Sequence, residues 1–567
     1  MFLPTTAEEV KQLGWDHLDA ILVSGDSYID SPFIGIAVIG KVLVNAGYTV
    51  GVIAQPDITS AQDITRLGEP TLFWGVSGGS IDSMVANYTA LKKKRRSDDY
   101  TPGGVNNRRP DRAVIAYANL IRRFYKNTRP IVLGGIEASL RRVAHYDYWS
   151  DKVRGSILFD AKADYLLYGM AESSVLALAA ALQGRTDPRA IPGICYIAKE
   201  KREGYLELGS FEDVSQDKLA FIDMFHTFYR NNDPVNARGL CQRHTDRYLV
   251  QNPPAPYTSQ AELDRVYGLD FERAQHPYYE AQGKVKALET IKFSISTHRG
   301  CYGECNFCAI AVHEGRTIRW RSQDSILAEA RCLTGLPDFK GYIQDAGGPT
   351  ANMYAIECDK KLSKGSCQGR RCLVPELCPV LKIDHSPQIE LLKKLRQVKG
   401  VARVFVASGI RYDMVLADRK HGQAYLEEIV EHHVSGQLKV APEHSETHVL
   451  KRMGKPSTAS LLRFKERFDT LSKSLGKPQF LTYYFIAAYP GCSDKDMEKL
   501  KNFASQSLRI NPEQVQIFTP TPSTYASVMY YTEMDPFTHE KLFVEKDAFK
   551  KERQKVTLVI KSARRGT

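Results

Sequence analysis

Three cysteines, Cys301, Cys305 and Cys308, stand at C-x3-C-x2-C spacing in the stretch Cys301-Tyr-Gly-Glu-Cys305-Asn-Phe-Cys308. Thiolates so spaced can wrap an iron–sulfur cluster from one side, and a cubane needs four ligands. No fourth cysteine stands at matching spacing, so one iron is left open. An open metal position binds substrate or cofactor, whereas a closed one transfers electrons or holds structure. A zinc site, a ferredoxin-like cluster and three unrelated thiols are the competing readings. Zinc sites favour paired C-x2-C knuckles with a distant partner pair, which the tight triplet does not match. A second set, Cys358, Cys367, Cys372 and Cys378, is spaced C-x8-C-x4-C-x5-C and interspersed with Lys360, Lys361, Arg370 and Arg371. Four thiols in one loop can close a zinc site or hold a complete second cluster. The isolated Cys195, Cys241, Cys332 and Cys492 read as small buried residues.

These residues need a scaffold, and from residue 290 onward strand and helix patterns alternate. Strands are predicted at 292–297, 341–345, 403–408, 437–441, 481–487 and 514–519, with helical patterns after most of them. Six β/α units are too few for a full eight-stranded barrel. In βα barrels the chemistry lies in loops at the carboxyl ends of strands, where the triplet falls. Other strand-end residues become candidates on the same ground: Gly347, Gly348 and Pro349 after the second strand, Ser408 and Arg411 after the third, and Glu443 and His444 after the fourth. Arg411 suits a carboxylate, since guanidinium grips carboxylates in bidentate fashion, with a surface salt bridge as its competitor. Glu443 or His444 can orient substrate or pass a proton; capping a turn is the alternative.

The N-terminal third alternates apolar runs at 20–24, 49–53, 72–76, 130–134 and 164–168 with amphipathic stretches, which implies a doubly wound parallel sheet of Rossmann type. Residues 197–287 break that pattern, are rich in polar and aromatic residues, and carry Pro253, Pro254 and Pro256. They read as an irregular connector. The run Lys92-Lys-Lys-Arg-Arg96 can attract phosphates or end a solvated helix.

The chain has 567 residues, 43% hydrophobic and 25% charged, which is ordinary for a soluble protein of two or more domains. It begins without the basic start and apolar run of a signal peptide, and no apolar stretch is long enough to cross a bilayer. Eight of the eleven cysteines lie between 301 and 378, which argues for metal ligation in a reducing cytoplasm rather than for disulfides. The net charge of +12 is diffuse; it permits an anionic substrate or a nucleic acid partner, the latter unsupported by any motif, and a solvated surface is the plainer reading.

The triplet, with Phe307 just before its last cysteine, resembles the cluster motif of the radical S-adenosylmethionine (radical SAM) superfamily. Within it, Gly25-Asp-Ser-Tyr-Ile-Asp-Ser-Pro32, Lys94-Arg-Arg-Ser-Asp-Asp-Tyr-Thr-Pro-Gly-Gly104, Gly134-Gly-Ile-Glu-Ala-Ser139 and Asp345-Ala-Gly-Gly-Pro-Thr-Ala-Asn352 resemble the YgiQ family across nearly the whole chain. The resemblance implies a cobalamin-binding-like domain over 1–196, the connector over 197–287, and a partial (β/α)6 barrel over 288–535 with the four-cysteine insertion at 352–382. A basic tail over 536–567 follows. It implies a [4Fe-4S] cluster on Cys301, Cys305 and Cys308, and S-adenosylmethionine near Phe307, Gly347, Gly348, Pro349, Ser408, Arg411 and Glu443. A flavodoxin- or ferredoxin-type electron donor and an unidentified substrate complete the expectation. The domain's cobalamin pattern, Asp-x-His-x-x-Gly, falls on Asp30, Pro32 and Gly35. Proline has no ligand atom, so histidine-ligated cobalamin is excluded at that site and cobalamin is not expected, with a histidine-off corrinoid as the alternative. The alternative function is a non-catalytic iron–sulfur or zinc protein associated with nucleic acid.

Overall fold

The apolar runs of the N-terminal third become strands because every residue in them finds a buried place. In the computed structural model, which describes residues 1–559, the first strands are β1 (Ala20–Ser24), β2 (Val50–Ala54), β3 (Phe73–Ser77), β4 (Ile131–Gly134) and β5 (Tyr165–Leu167). All five residues of β1 and of β2 are buried, as expected of parallel strands covered on both faces. Helices Gly35–Asn45, Ala113–Phe124 and Glu172–Gln183 lie in the connections between these strands and after them. The parallel strands run in the order 5-4-3-1-2. This is a doubly wound arrangement whose order reverses between β1 and β3.

The sheet continues through residues expected to be irregular. Strands β6 (Ile194–Ala198), β7 (Leu206–Leu208), β8 (Leu240–His244) and β9 (Arg247–Gln251) extend it to nine strands, in the order 7-8-9-6-5-4-3-1-2. The expectation of a connector over 197–287 is therefore corrected. Leu240, Cys241, Leu249 and Val250 are buried, while the polar Arg243 and Arg247 flank the exposed turn of a hairpin. Averaged composition hid that alternation. The prolines fall just after the hairpin, where Pro253 accepts a 2.7 Å hydrogen bond from the Gly193 N–H. One compact unit accordingly comprises Met1–Lys292 with Val312–Gly315.

The other unit comprises Phe293–Ala311 and the chain from Arg316 onward. Its strands are β10 (Ser294–Ser296), β11 (Tyr342–Ile343, resumed at Asp345–Gly347), β12 (Arg403–Val404), β13 (Gln437–Glu443), β14 (Phe480–Ala487) and β15 (Val515–Ile517). Each is parallel to the next: β10 to the second half of β11, the first half of β11 to β12, and β13 to β14 to β15. The single parallel bridge Ile410↔Val440 joins the chain beyond β12 to β13. Six parallel strands in chain order, interleaved with helices such as Gln323–Thr334, Ser386–Arg396 and Thr458–Ser474, make a partial (β/α)6 barrel. The tail folds into this unit through helix Ala548–Leu558, whose buried Gln554 accepts the Ala488 N–H at 3.0 Å. Residues 560–567 of the expected tail lie outside the described residues.

Candidate active site

The cysteine triplet follows β10 directly. His298 and Arg299 pair antiparallel with Trp320 and Arg319, and the chain then turns through Cys301–Cys308. Glu304 takes a left-handed φ of 45°, which lets the loop fold back between its first two thiols. The Cys308 N–H donates to the Cys305 carbonyl at 3.0 Å. Cys301 Sγ lies 3.3 Å from the Gly303 N–H and 3.4 Å from Thr350 Oγ1. Burial pushes the Cys301 thiol up, and burial followed by the neighbouring thiols pushes Cys308 up to about 12. Such thiols become good ligands only when positive charge, their own surroundings' or a metal's, offsets the lost protons.

The chain supplies two buried cations at this point. Arg411 Nη1 sits 4.0 Å from Cys305 Sγ, and Arg411 Nε donates to Asp413 at 2.8 Å. Burial opposes the charge on Arg411, but Asp413 and then Cys305 raise its pKa on balance. The backbone of Arg411 is clamped by the buried Asn352 amide, which accepts the Arg411 N–H at 2.7 Å and donates to the Arg411 carbonyl at 3.0 Å. Asn352 Nδ2 is in turn 3.2 Å from His385 Nε2, and His385 Nδ1 is 2.8 Å from Asp418. The second cation, Lys455, is 3.3 Å from Glu443, donates to the Ala441 carbonyl at 2.8 Å, and lies 5.6 Å from the centre of the Phe307 ring. Burial raises the Glu443 carboxyl and works against Lys455, yet Cys305 and Glu443 together keep Lys455 raised. Glu443 holds a left-handed φ of 68° at an irregularity in the β13 register.

The end of β11 explains its glycines. A Cβ on Gly348 would meet the His298 ring at 2.6 Å, and one on Gly347 would come within 3.2 Å of Ser408 Oγ. Asp345 accepts the backbone N–H of Ala407 at 2.8 Å and of Ser408 at 3.1 Å, and also takes the Ser408 hydroxyl. That hydroxyl is engaged within the fold, so Ser408 stands here as a strand-end tie. Pro349 is half-buried and precedes Thr350, whose hydroxyl reaches Cys301. Phe307 packs edge-on to Tyr489 with ring centres 6.4 Å apart. His444, pushed down to about 4 by burial, faces Cys492 Sγ at 3.4 Å.

Of the second set, Cys358 and Cys372 are buried and Cys367 and Cys378 half-buried. Of the single cysteines, Cys195, Cys241 and Cys492 are buried, whereas Cys332 is exposed on helix Gln323–Thr334, correcting its reading as a buried residue. Sequence reasoning did not single out Asn352, His385, Asp413 or Lys455 as site residues. Asn352, which closes the Asp345–Asn352 family stretch, and Asp413, two positions after Arg411, carried a signal. Among the described residues, the groups that bring three metal-ligating atoms within 4.8 Å are Asp384–Asp418–His421 and Glu446–His448–Asp496. Neither cysteine set brings three sulfurs within that distance of one another.

A partial barrel with a thiol triplet after its first strand defines the radical SAM class. The family model described as Radical SAM N-terminal matches residues 2–294. A UPF0313 protein of Fusobacterium nucleatum is 59% identical over 98% of both chains, and one of Thermotoga maritima is 50% identical over 99% of both. The chain belongs to this UPF0313 (YgiQ) family and is a radical SAM enzyme. Among solved structures, the radical S-adenosylmethionine methyltransferase TsrM of Kitasatospora setae aligns with a TM-score of 0.49 at 16% identity, over 88% of this chain and 74% of that one.

Proposed function

We propose that Cys301, Cys305 and Cys308 hold a [4Fe-4S] cluster and that the chain reductively cleaves S-adenosylmethionine to act on an unidentified substrate. When bound, such a cluster supplies the electron that splits S-adenosylmethionine into methionine and a 5′-deoxyadenosyl radical. The observation that carries the reading is the triplet itself, three thiols at a strand end with a buried cation, Arg411, 4.0 Å from the central one. Arg411 and Lys455 offset the thiolates' charge and offer groups that bind the carboxylate of the cofactor. Backbone groups at Gly347 and Gly348 line the same strand end, and Phe307 packs against Tyr489 beside the triplet. Glu443, raised by burial and held by Lys455, can orient a donor or hold a proton. A flavodoxin- or ferredoxin-type protein supplies the electron, an anionic substrate fits the net charge of +12, and a reducing cytoplasm fits the thiols. No helix among the described residues is long and apolar enough to cross a membrane.

We infer further that the chain works without a corrinoid. Asp30 is buried in an ion pair with Lys41 at 3.0 Å and accepts the Glu272 N–H at 3.1 Å, and the position where a histidine ligand would fall is Pro32. Where the order of the parallel strands reverses, Arg109 fills the space beyond β1 and β3. It donates to the Gly78 carbonyl at 2.7 Å and pairs with Asp26 at 2.8 Å and Asp98 at 3.0 Å. A Cβ on Gly25 would fall 2.0 Å from the Gly78 carbonyl oxygen. Retention of corrinoid absorbance after incubation and gel filtration would overturn this.

The test of the main reading is anaerobic reconstitution with iron and sulfide, reduction, addition of S-adenosylmethionine, and chromatography for 5′-deoxyadenosine. Cofactor-dependent product from wild type and none from Cys305→Ala is expected. Equal product from both would sink the assignment.

A further inference from the structure

The loop between β11 and helix Ser386–Arg396 carries four cysteines that the proposed reaction does not use. Cys358, Cys372 and Cys378 pack into one apolar cluster with Tyr302, Met353 and Leu381. The Cys378 N–H donates to the Cys372 carbonyl at 2.8 Å, which folds the last two thiols of the set onto one turn. Cys367 and Cys378 line a common concavity of about 400 Å³ with Lys360, Lys364 and Arg370. Cys378 thus belongs to both groupings and links Cys358 and Cys372 to Cys367.

The charged side chains that line the concavity, Lys360, Lys364 and Arg370, are all basic. Four thiolates around Zn²⁺ or a [4Fe-4S]²⁺ core leave a net charge of about −2. Lys360, Lys361, Lys364, Arg370 and Arg371 lie within the same segment. Lys361 is 1% exposed, a rare burial for a lysine.

The same segment grips the first cysteine loop. Lys361 Nζ is 3.5 Å from the Glu304 carboxylate, donates to the Arg316 carbonyl at 2.6 Å, and lies 5.1 Å from the centre of the Tyr302 ring. Arg371, next to Cys372, donates to the Glu304 carbonyl at 3.1 Å and to Asn306 Oδ1 at 2.6 Å. Tyr302, Glu304 and Asn306 are three of the five residues between the first three thiols.

We propose that Cys358, Cys367, Cys372 and Cys378 form a second, tetrathiolate metal site whose loop braces the first cysteine loop through Lys361 and Arg371. The ligand is a thiophilic metal centre, one zinc ion or one complete iron–sulfur cluster. A centre with four protein ligands leaves no position for substrate, so the site holds structure or passes electrons.

The inference stands apart from the proposed function and is tested where that function is absent. The full chain carrying Cys301→Ala, Cys305→Ala and Cys308→Ala is reconstituted anaerobically with iron and sulfide or with zinc, desalted, and its iron, sulfide and zinc counted. Retention of about four irons with matching sulfide identifies a cluster, and retention of about one zinc identifies that ion; either supports the site. The metal must be lost when Cys372→Ser is added, and also with the less buried Cys367→Ser, with circular dichroism unchanged in the latter. No retained metal, or metal unaffected by either serine, overturns the proposal.

Discussion

Arg411 Nη1 lies 4.0 Å from Cys305 Sγ while the remainder of its guanidinium is held by Asp413. A buried cation is thereby fixed beside the middle thiol of the triplet, and its position depends on a carboxylate two residues away. Asp413→Asn removes one charge of the pair and frees the guanidinium to turn. Loss of charge-assisted hydrogen bonds costs about 1.5–3 kcal/mol. A misplacement of about 1 Å at a reacting centre can cost about a hundredfold in rate. The expected result is a fall of ten- to a hundredfold, roughly, in 5′-deoxyadenosine formation with iron content retained. Wild-type rates in Asp413→Asn would show that Arg411 needs no anchor.

Lys455 and Glu443 form the second pair, 3.3 Å apart, with both side chains more than nine-tenths covered. Lys455→Met strands the carboxylate, and breaking a buried pair costs about 3–5 kcal/mol. The double variant Lys455→Met with Glu443→Leu should recover much of that stability in urea unfolding, since neither charge is left alone. A positive charge near a cluster favours its more negative, reduced state. The Lys455→Met variant should therefore reduce at a lower potential than wild type in an anaerobic redox titration followed by electron paramagnetic resonance. An unchanged potential would remove Lys455 from the site.

The Lys361–Glu304 contact ties the two cysteine loops together. Lys361→Met leaves Glu304 with the Arg316 guanidinium at 3.5 Å. The expected effect is faster loss of iron from the first set on challenge with a chelator, several-fold relative to wild type, because Tyr302 and Glu304 lose their brace. Glu304→Gln should show the same phenotype. Identical chelation kinetics in all three proteins would mean the loops are independent.

His244 gives the N-terminal sheet a pH dependence. It stacks on Phe211 with ring centres 5.4 Å apart, and burial pushes its pKa from 6.5 down to about 4, against the opposing pull of Glu212 and Asp160. Between those values the unfolded chain binds the proton and the folded chain does not. Stability is therefore present above the unfolded pKa and is lost as pH falls toward the folded one, by up to about 1.4 kcal/mol per pH unit for this group. Urea midpoints measured from about pH 6.5 to about pH 5 should fall more gently in His244→Gln than in wild type. Parallel slopes would show that His244 titrates normally.

The sequence alone determined the features that depend on near neighbours. Cys301, Cys305 and Cys308 are close in space because they are close in the chain, so their spacing announced a metal site before any fold was known. The run Ala20–Ser24 is apolar at every position and could only be a strand buried on both faces. The hairpin Leu240–Gln251 was legible in principle, but polar residues at its turn and prolines just beyond it outweighed the short apolar alternation at its ends.

Only the tertiary structure decided what lies across from the thiols. Lys455 reaches Glu443 and the Phe307 ring because β13 and the helix after it return the chain to the mouth of the barrel. Asn352, His385 and Asp418 are separated by 33 positions at each step, yet they form one hydrogen-bonded chain ending at Arg411. Likewise Lys361 is an ordinary lysine in sequence and becomes a buried brace only where the second cysteine loop packs on the first. Charge pairing and burial are properties of what a residue meets across the barrel. Spacing along the chain records only what it meets within a few residues.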